Sequence, residues 1–200
     1  MEMTGEHVIP APRDKVWEML NDPAVLRACI PGCTELEGSP EQGFTATVKQ
    51  SIGPVKATFK GEVTLSDLNP PESYTISGSG KGGVAGFAKG GADIRLSDAE
   101  QGTRLRYDVR AQVGGKLAQL GSRLVDSTAK RLAGQFFSNL EDHALSRHEA
   151  GTVNATAARP AEDTRQAPAS AGSVAARPRM LILLAATAVL IVGLLFAFNS

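Results

Sequence analysis

Apolar and polar residues alternate with a period of two over five stretches of this chain, a pattern typical of half-buried β-strands. The stretches are Gly43–Gln50, Val55–Asp67, Tyr74–Lys81, Val84–Leu96 and Arg104–Val113. Glycine and proline occur between these stretches, as expected of turns, for example Gly82 and Gly83 between the third and fourth stretches. We therefore expect successive hairpins in an antiparallel meander.

Helical patterns bracket this meander. Pro12 and the Asp22-Pro23 pair predict the starts of two short helices before it. After Gly114-Gly115, apolar residues recur at helical spacing from Leu117 to Leu140, which predicts one long C-terminal helix. The expected fold class is α+β, a helix-grip arrangement in which a curved antiparallel sheet wraps around that helix.

A last hydrophobic segment, Met180–Phe198, contains only one weakly polar residue, Thr187. As a helix rising about 1.5 Å per residue, it would cover roughly 29 Å, close to the hydrocarbon thickness of a bilayer. A helix also satisfies its own backbone hydrogen bonds there. The alternative is a buried helix of a soluble domain, but the preceding segment is polar. We expect a single C-terminal transmembrane helix.

Three regions are therefore predicted: a ligand-binding domain over 1–146, a disordered tether over 147–179 and the transmembrane helix over 180–198. The tether is rich in Ala, Thr, Pro and Ser and has little apolar surface to bury. Arg177 and Arg179 precede the span, which favours an N-terminal domain on the cytoplasmic side. No segment near the N-terminus resembles a signal peptide. We expect a single-pass protein of the cytoplasmic membrane.

The net charge of the predicted domain and its lack of catalytic motifs exclude several classes of function. Residues 1–146 carry 16 Lys and Arg against 18 Asp and Glu, which argues against nucleic acid as a partner. We find no convergent nucleophile and base, no phosphate loop and no metal-ligand spacing, so we predict no catalytic residue, no metal and no covalent cofactor. His7, His143 and His148 are expected to be solvated or capping residues. Cys29 and Cys33 are expected to have packing or turn roles, with a redox or partner-docking role as the alternative.

Small residues dominate the predicted inward positions in the middle of the meander. Glycine and alanine side chains on the inner face of the sheet would leave space beneath the long helix, unless that helix packs unusually close. We therefore predict an apolar ligand cavity between the sheet and the helix. Its predicted lining is Ala57, Phe59, Gly78, Gly80, Phe87, Ala88, Gly90, Leu117, Leu120, Gly121 and Leu124. Alternatively, the glycines mark bulges and curvature or a mobile flap, and Phe87 is an ordinary exposed aromatic rather than a lid.

Three segments resemble a known family. They are Val16–Pro23, Cys29–Cys33 and the glycine-rich segment Gly78–Ala92. The first is shared across the START-like, Bet v 1-like (SRPBCC) superfamily, and the other two are more specific. Together they resemble the CoxG family, named for the CoxG component of carbon monoxide dehydrogenase, over residues 1–146.

The resemblance implies an accessory protein and not an enzyme. Such a protein is expected to recruit a molybdenum hydroxylase of the carbon monoxide dehydrogenase type to the membrane and to bind a lipid quinone for electron transfer. Two alternatives stay open. One is a pure membrane scaffold without a ligand. The other is a cyclase or hydrolase, as in distant helix-grip relatives, although Tyr74 and Tyr107 face inward without an evident base.

Overall fold

The computed structural model describes the backbone of residues 1–155 and the side chains of residues 1–146. The strands are β1 (Glu2–Ile9), β2 (Cys33–Ser39), β3 (Gly43–Ile52), β4 (Val55–Asn69), β5 (Ser73–Lys81), β6 (Phe87–Ala99) and β7 (Gly102–Gly114). The helices are α1 (Arg13–Met19), α2 (Pro23–Cys29), α3 (Lys116–Gln119) and α4 (Ser122–Ala155). Within these residues all strands pair antiparallel in one sheet, in the order β1-β7-β6-β5-β4-β3-β2.

The inner face of the sheet follows the predicted alternation. On β4, Phe59, Gly61 and Val63 are buried, while the lysine and glutamate residues between them are exposed. The amphipathic helix α4 covers this face with residues at helical spacing. They are Val125, Ala129, Leu132, Ala133, Phe136, Phe137, Leu140 and Ala144, all buried. The helix-grip fold is confirmed.

The two short helices close the end of the core where β1 leads into α1. Asp22 caps α2 by accepting a hydrogen bond from the Ala24 amide at 2.8 Å, and Pro23 follows as the first helical residue. Thr103, fully buried on β7, donates its hydroxyl to the Ala11 carbonyl at 2.7 Å. The segment between β1 and α1 is therefore tied to the sheet.

Three sequence predictions differ from the observed elements. The strand predicted from Val84 begins at Phe87, because Gly83–Ala85 form a 3₁₀ turn and Gly86 has a φ of +123°. The predicted long helix from Leu117 is broken at Gly121, whose φ of +85° separates α3 from α4. The edge strand β2 has no counterpart among the predicted alternating stretches, because Leu36 is its one buried residue.

The structure bears on only one of the predicted region boundaries, the one at residue 146. The backbone of α4 stays helical to Ala155, beyond the predicted boundary at residue 146. No helix within residues 1–155 is long and apolar enough to cross a membrane. The predicted span Met180–Phe198 and most of the predicted tether lie outside the described residues.

Candidate functional site

Strand register places the smallest side chains side by side across the centre of the sheet. One cross-strand row runs over β3 to β7 and consists of Ala46, Gly61, Gly80, Ala88 and Val113. The neighbouring row consists of Phe44, Val63, Gly78, Gly90 and Ala111. The inner face is therefore shallow in the half of the sheet that lies towards the β5–β6 turn.

The glycines in these rows are not equivalent. A β-carbon placed on the buried Gly61 would contact only the Ser79 carbonyl oxygen, at 3.7 Å. A β-carbon on Gly90 would lie 2.4 Å from the Arg110 carbonyl oxygen and 2.7 Å from the Ala111 β-carbon. Gly90 is thus needed because β7 approaches it closely, which agrees with the alternative that glycines in this sheet mark bulges and curvature. Gly61, by contrast, leaves room for a methyl group.

A cavity of about 580 Å³, here called the side hollow, opens between the ends of β6 and β7 and the α3–α4 junction. Met1 exchanges backbone hydrogen bonds with Ala111, so the last residues of β7 extend past the start of β1. Apolar lining comes from Met1, Phe87, Ala111, Val113, Ala118 and Val125, and Gly121 completes the rim. Its volume lies in the range of small-molecule sites.

Polar groups in the side hollow supply both donors and an acceptor. Lys89, Gln112 and Ser122 bring an ammonium, an amide and a hydroxyl to its lining. Asp126 lies beside them, and its Oδ1 is buried without a hydrogen-bond partner among the described residues. A buried carboxylate oxygen in this condition favours a bound group that donates a hydrogen bond.

The predicted lining residues fall into separate environments. Phe87 and Gly121 line the side hollow, whereas Gly78 and Gly90 line a depression of about 640 Å³ in which Lys89 and Arg110 of the outer sheet face also take part. The remaining seven belong to the core or its margin. Phe59, Gly80, Ala88 and Leu117 are buried, and Ala57, Leu120 and Leu124 are half-buried.

Several lining residues of the side hollow are not among the predicted site residues. Met1, Ala118 and Val125 come from the N-terminus, α3 and α4, which meet only in the folded chain. Val113 does carry a signal, because it is the last inward residue of the alternating stretch on β7. The helical spacing predicts Asp126 on the polar face of the long helix, and the break at Gly121 places it at the hollow instead.

An aromatic cluster lies on the other half of the inner face. The ring of Phe137 stacks on His7 at a centroid distance of 4.0 Å and on Tyr107 at 5.5 Å. His7 Nδ1 lies 4.0 Å from Glu141 Oε1. Burial lowers the pKa of His7, and this effect exceeds any pull from the distant carboxylate. His7, expected to be a solvated or capping residue, is therefore half-buried, with 30% of its side chain exposed.

Stability is expected to fall on mild acidification because of His7. Its pKa is depressed in the folded state, so below its unfolded value of about 6.5 the unfolded chain binds a proton that the native state resists. Urea unfolding of the wild type and His7→Phe, at about one pH unit above and about one below that value, measures the effect. The wild type should lose more stability than the variant, by at most about 1.4 kcal/mol per pH unit. Equal losses in the two proteins would show that His7 does not cause the pH dependence.

The two cysteines are held as thiols in an apolar setting. Cys29 is buried, and burial raises its pKa to about 11. Burial also raises the pKa of the half-buried Cys33, against a smaller opposing effect of Arg27. Thiols with raised pKa values are weak nucleophiles, which favours the packing role. Among the side chains of residues 1–146, no three His, Cys, Asp or Glu residues lie together as metal ligands would.

Comparison with known proteins identifies a family and a fold. Residues 5–145 match the family described as CoxG, a subunit of carbon monoxide dehydrogenase. A search of curated protein sequences gives no match. Because the family match covers well over half of the chain, it goes beyond a likeness of fold.

Solved structures with the same fold include a conserved protein from Geobacillus kaustophilus. It is 31% identical, with a TM-score of 0.69 over 73% of this chain and 96% of its own. A protein from Rhizobium leguminosarum is 14% identical, with a TM-score of 0.56 over 74% of this chain and 95% of its own. Ara h 8.0201 is 16% identical, with a TM-score of 0.51 over 73% of this chain and 98% of its own. The last two support the fold alone.

Proposed function

The chain belongs to the CoxG family of carbon monoxide dehydrogenase, and we propose that it is a membrane-tethered accessory protein of a molybdenum hydroxylase. In this proposal the domain recruits an enzyme of the carbon monoxide dehydrogenase type and holds a lipid quinone that exchanges electrons with it. The protein itself carries out no catalytic step. The match over residues 5–145 is the observation that carries the proposal.

Membrane tethering is proposed from the composition of the C-terminal segment. Met180–Phe198 has no charged residue and the length of a bilayer-spanning helix. Arg177 and Arg179 before it favour a cytoplasmic location for the domain. A tether would keep the domain close both to membrane quinone and to an enzyme docked at the same surface.

Quinone binding is proposed from the chemistry of the side hollow. An isoprenoid chain gains about 0.8 kcal/mol for each buried CH₂ unit, and Phe87, Val113 and Val125 offer apolar surface for it. Ser122 and Lys89 can donate to the carbonyl oxygens of the oxidised ring. The unpartnered Oδ1 of Asp126 can accept a hydrogen bond from the hydroxyl of the reduced quinol. One site thus has partners for both redox forms.

Filling the side hollow should weaken ligand binding. Ala118→Phe places a ring in the hollow from an exposed position on α3, so the core stays intact. We expect the affinity for a short-chain quinone to fall by about tenfold, equivalent to about 1.4 kcal/mol. Titration of the full-length protein in detergent measures it, and Gln119→Phe is the matched control because Gln119 is exposed and does not line the hollow.

Organic extraction of the full-length protein purified from its native membranes tests the same claim without an added ligand. Mass spectrometry should detect quinone in the wild type and in Gln119→Phe, and much less in Ala118→Phe. An empty wild type that also fails to saturate with quinone would leave the scaffold alternative, in which only the surface of the domain matters.

A further inference from the structure

Lysines are concentrated at one end of the domain, where the β3–β4 turn, the β5–β6 turn and α3 lie together. Six of the eight lysines of the chain belong to this end, and all six are exposed. They are Lys49, Lys56, Lys60, Lys81, Lys89 and Lys116. We call this region the lysine end.

Carboxylates lie near the lysine end but do not pair with its lysines, since Glu62 only shares a depression with Lys60, and Asp126 only shares the side hollow with Lys89. None of its six lysines forms an ion pair with another residue in the described part of the chain. Lys60 and Lys81 lie directly opposite each other on β4 and β5. Like charges in that position destabilise a sheet, so a negatively charged surface would relieve a repulsion that the free domain retains.

An exposed apolar side chain projects from the same end. Val84, in the turn Gly83–Ala85, is 86% exposed, the most exposed of the large hydrophobic residues described. Its neighbour Ala85 is buried, which anchors the turn. Lys81 and Lys89 flank the turn on β5 and β6. A hydrophobic tip between cations is the pattern of segments that bind at a membrane interface.

Arginines follow a different pattern elsewhere on the domain. Arg13 pairs with Glu72 and Asp98, and Arg106 pairs with Glu6 at 2.9 Å. Arginine suits specific pairing in protein interfaces, whereas lysine is depleted there and carries a compact, strongly hydrated charge on a flexible stem. An unpaired lysine cluster therefore fits a diffuse layer of anionic headgroups better than a structured acidic protein surface.

We propose that the lysine end docks directly on an anionic bilayer, with Val84 entering the headgroup region and the lysines contacting lipid phosphates. This inference builds on the proposed membrane location of the protein and adds an orientation to it. Phe87, at the rim of the side hollow, follows Val84 by three residues, so docking would turn the hollow towards the lipid.

Chain length permits this orientation. The start of α4 lies at the lysine end, because Leu124 packs against Gly53 in the β3–β4 turn. Its 34 residues carry the chain about 51 Å away from that end. Residues 156–179, fully extended, can cover about 80 Å. The C-terminal segment and the lysine end can therefore reach the same bilayer.

Tryptophan quenching in vesicles tests the docking. Full-length Val84→Trp is reconstituted into vesicles of brominated phosphatidylcholine, alone or mixed equally with brominated phosphatidylglycerol. The chain has a single native tryptophan, Trp17, which is 6% exposed and serves as the internal baseline. The new tryptophan should be quenched in anionic vesicles and not in neutral ones. Leu68→Trp, near the β4–β5 turn at the opposite end, should stay unquenched in both.

Charge reversal provides the matched comparison. In the Val84→Trp background, Lys56→Glu with Lys81→Glu should lower the docked-to-free ratio at least about 25-fold, since each lysine near an anionic surface contributes roughly fivefold. Neither lysine lines the side hollow, so the quinone site is left intact. Lys15→Glu with Lys130→Glu, the two lysines outside this end, should have little effect. Absence of quenching in anionic vesicles, or equal quenching in neutral ones, overturns the proposal.

Two further readouts separate this inference from the proposed function. Cosedimentation with neutral vesicles reports on the C-terminal segment, and quinone extraction reports on the ligand, whatever the lysine end does. If the Lys56 and Lys81 reversal leaves quenching unchanged but abolishes copurification of the enzyme, the lysine end binds an acidic protein and the bilayer proposal is overturned.

Discussion

Gly90→Ala is expected to destabilise the domain by about 3 kcal/mol, near the upper end of ordinary overpacking effects. The added β-carbon would lie 2.4 Å from the Arg110 carbonyl oxygen, a backbone atom of β7 that cannot move without disturbing the β6–β7 ladder. Urea unfolding followed by the fluorescence of Trp17, which lies in the core, measures the loss.

Gly61→Ala is the matched control for that prediction. Gly61 occupies the same inner face, but a β-carbon there meets only the Ser79 carbonyl oxygen at an ordinary contact distance of 3.7 Å. Alanine lowers the conformational entropy of the unfolded chain. The free energy of unfolding of this variant should therefore equal that of the wild type or exceed it by about 0.5 kcal/mol. Equal destabilisation by the two substitutions would show that the space above Gly61 does not exist.

Deletion of residues 180–198 is expected to move the protein and its partner enzyme from the membrane fraction to the soluble fraction. The proposed membrane anchoring depends on the apolar length of this segment and not on a specific contact. The free energy gained by transferring the segment into lipid is roughly proportional to its apolar surface. Quantitative immunoblotting of fractionated cells measures the shift. Quinone-dependent electron delivery from the enzyme should fall in parallel.

Two controls limit the interpretation of that deletion. The domain itself should stay folded, so the urea unfolding curve reported by Trp17 should match that of the full-length protein. A variant with residues 180–198 in scrambled order keeps the apolar length and should restore membrane association. A partner enzyme that remains at the membrane after the deletion would mean that this segment does not recruit it.

Much of the fold could be predicted from the sequence because one face of each long strand is buried. The alternation on β3, β4 and β7 is strong for that reason. Edge strand β2 gives no such signal, since Leu36 alone is buried there. The pattern misplaces the start of β6 because glycine permits both strand and turn. Gly86 has a φ of +123°, and a β-carbon there would lie 2.3 Å from the Gly114 carbonyl oxygen, a contact that only the folded chain reveals.

The candidate site is less predictable than the fold. The alternation of side chains along the strands places Gly61 and Gly90 on the same face of the sheet. Whether a glycine borders open space or the backbone of the next strand depends on the path of that strand, which the sequence does not show. Phe87 and Gly121 belong to the predicted lining and do border the side hollow. Met1 could not be predicted there, because its position depends on the register between β1 and β7, over more than a hundred residues of chain.

Affinity purification of the tagged full-length protein from native membranes is the decisive test of the proposed function. We expect a three-subunit molybdenum hydroxylase to copurify with the wild type, and quinone to be extracted from the same preparation. Recovery of the protein from the membrane fraction with neither the enzyme nor the quinone would refute the proposal.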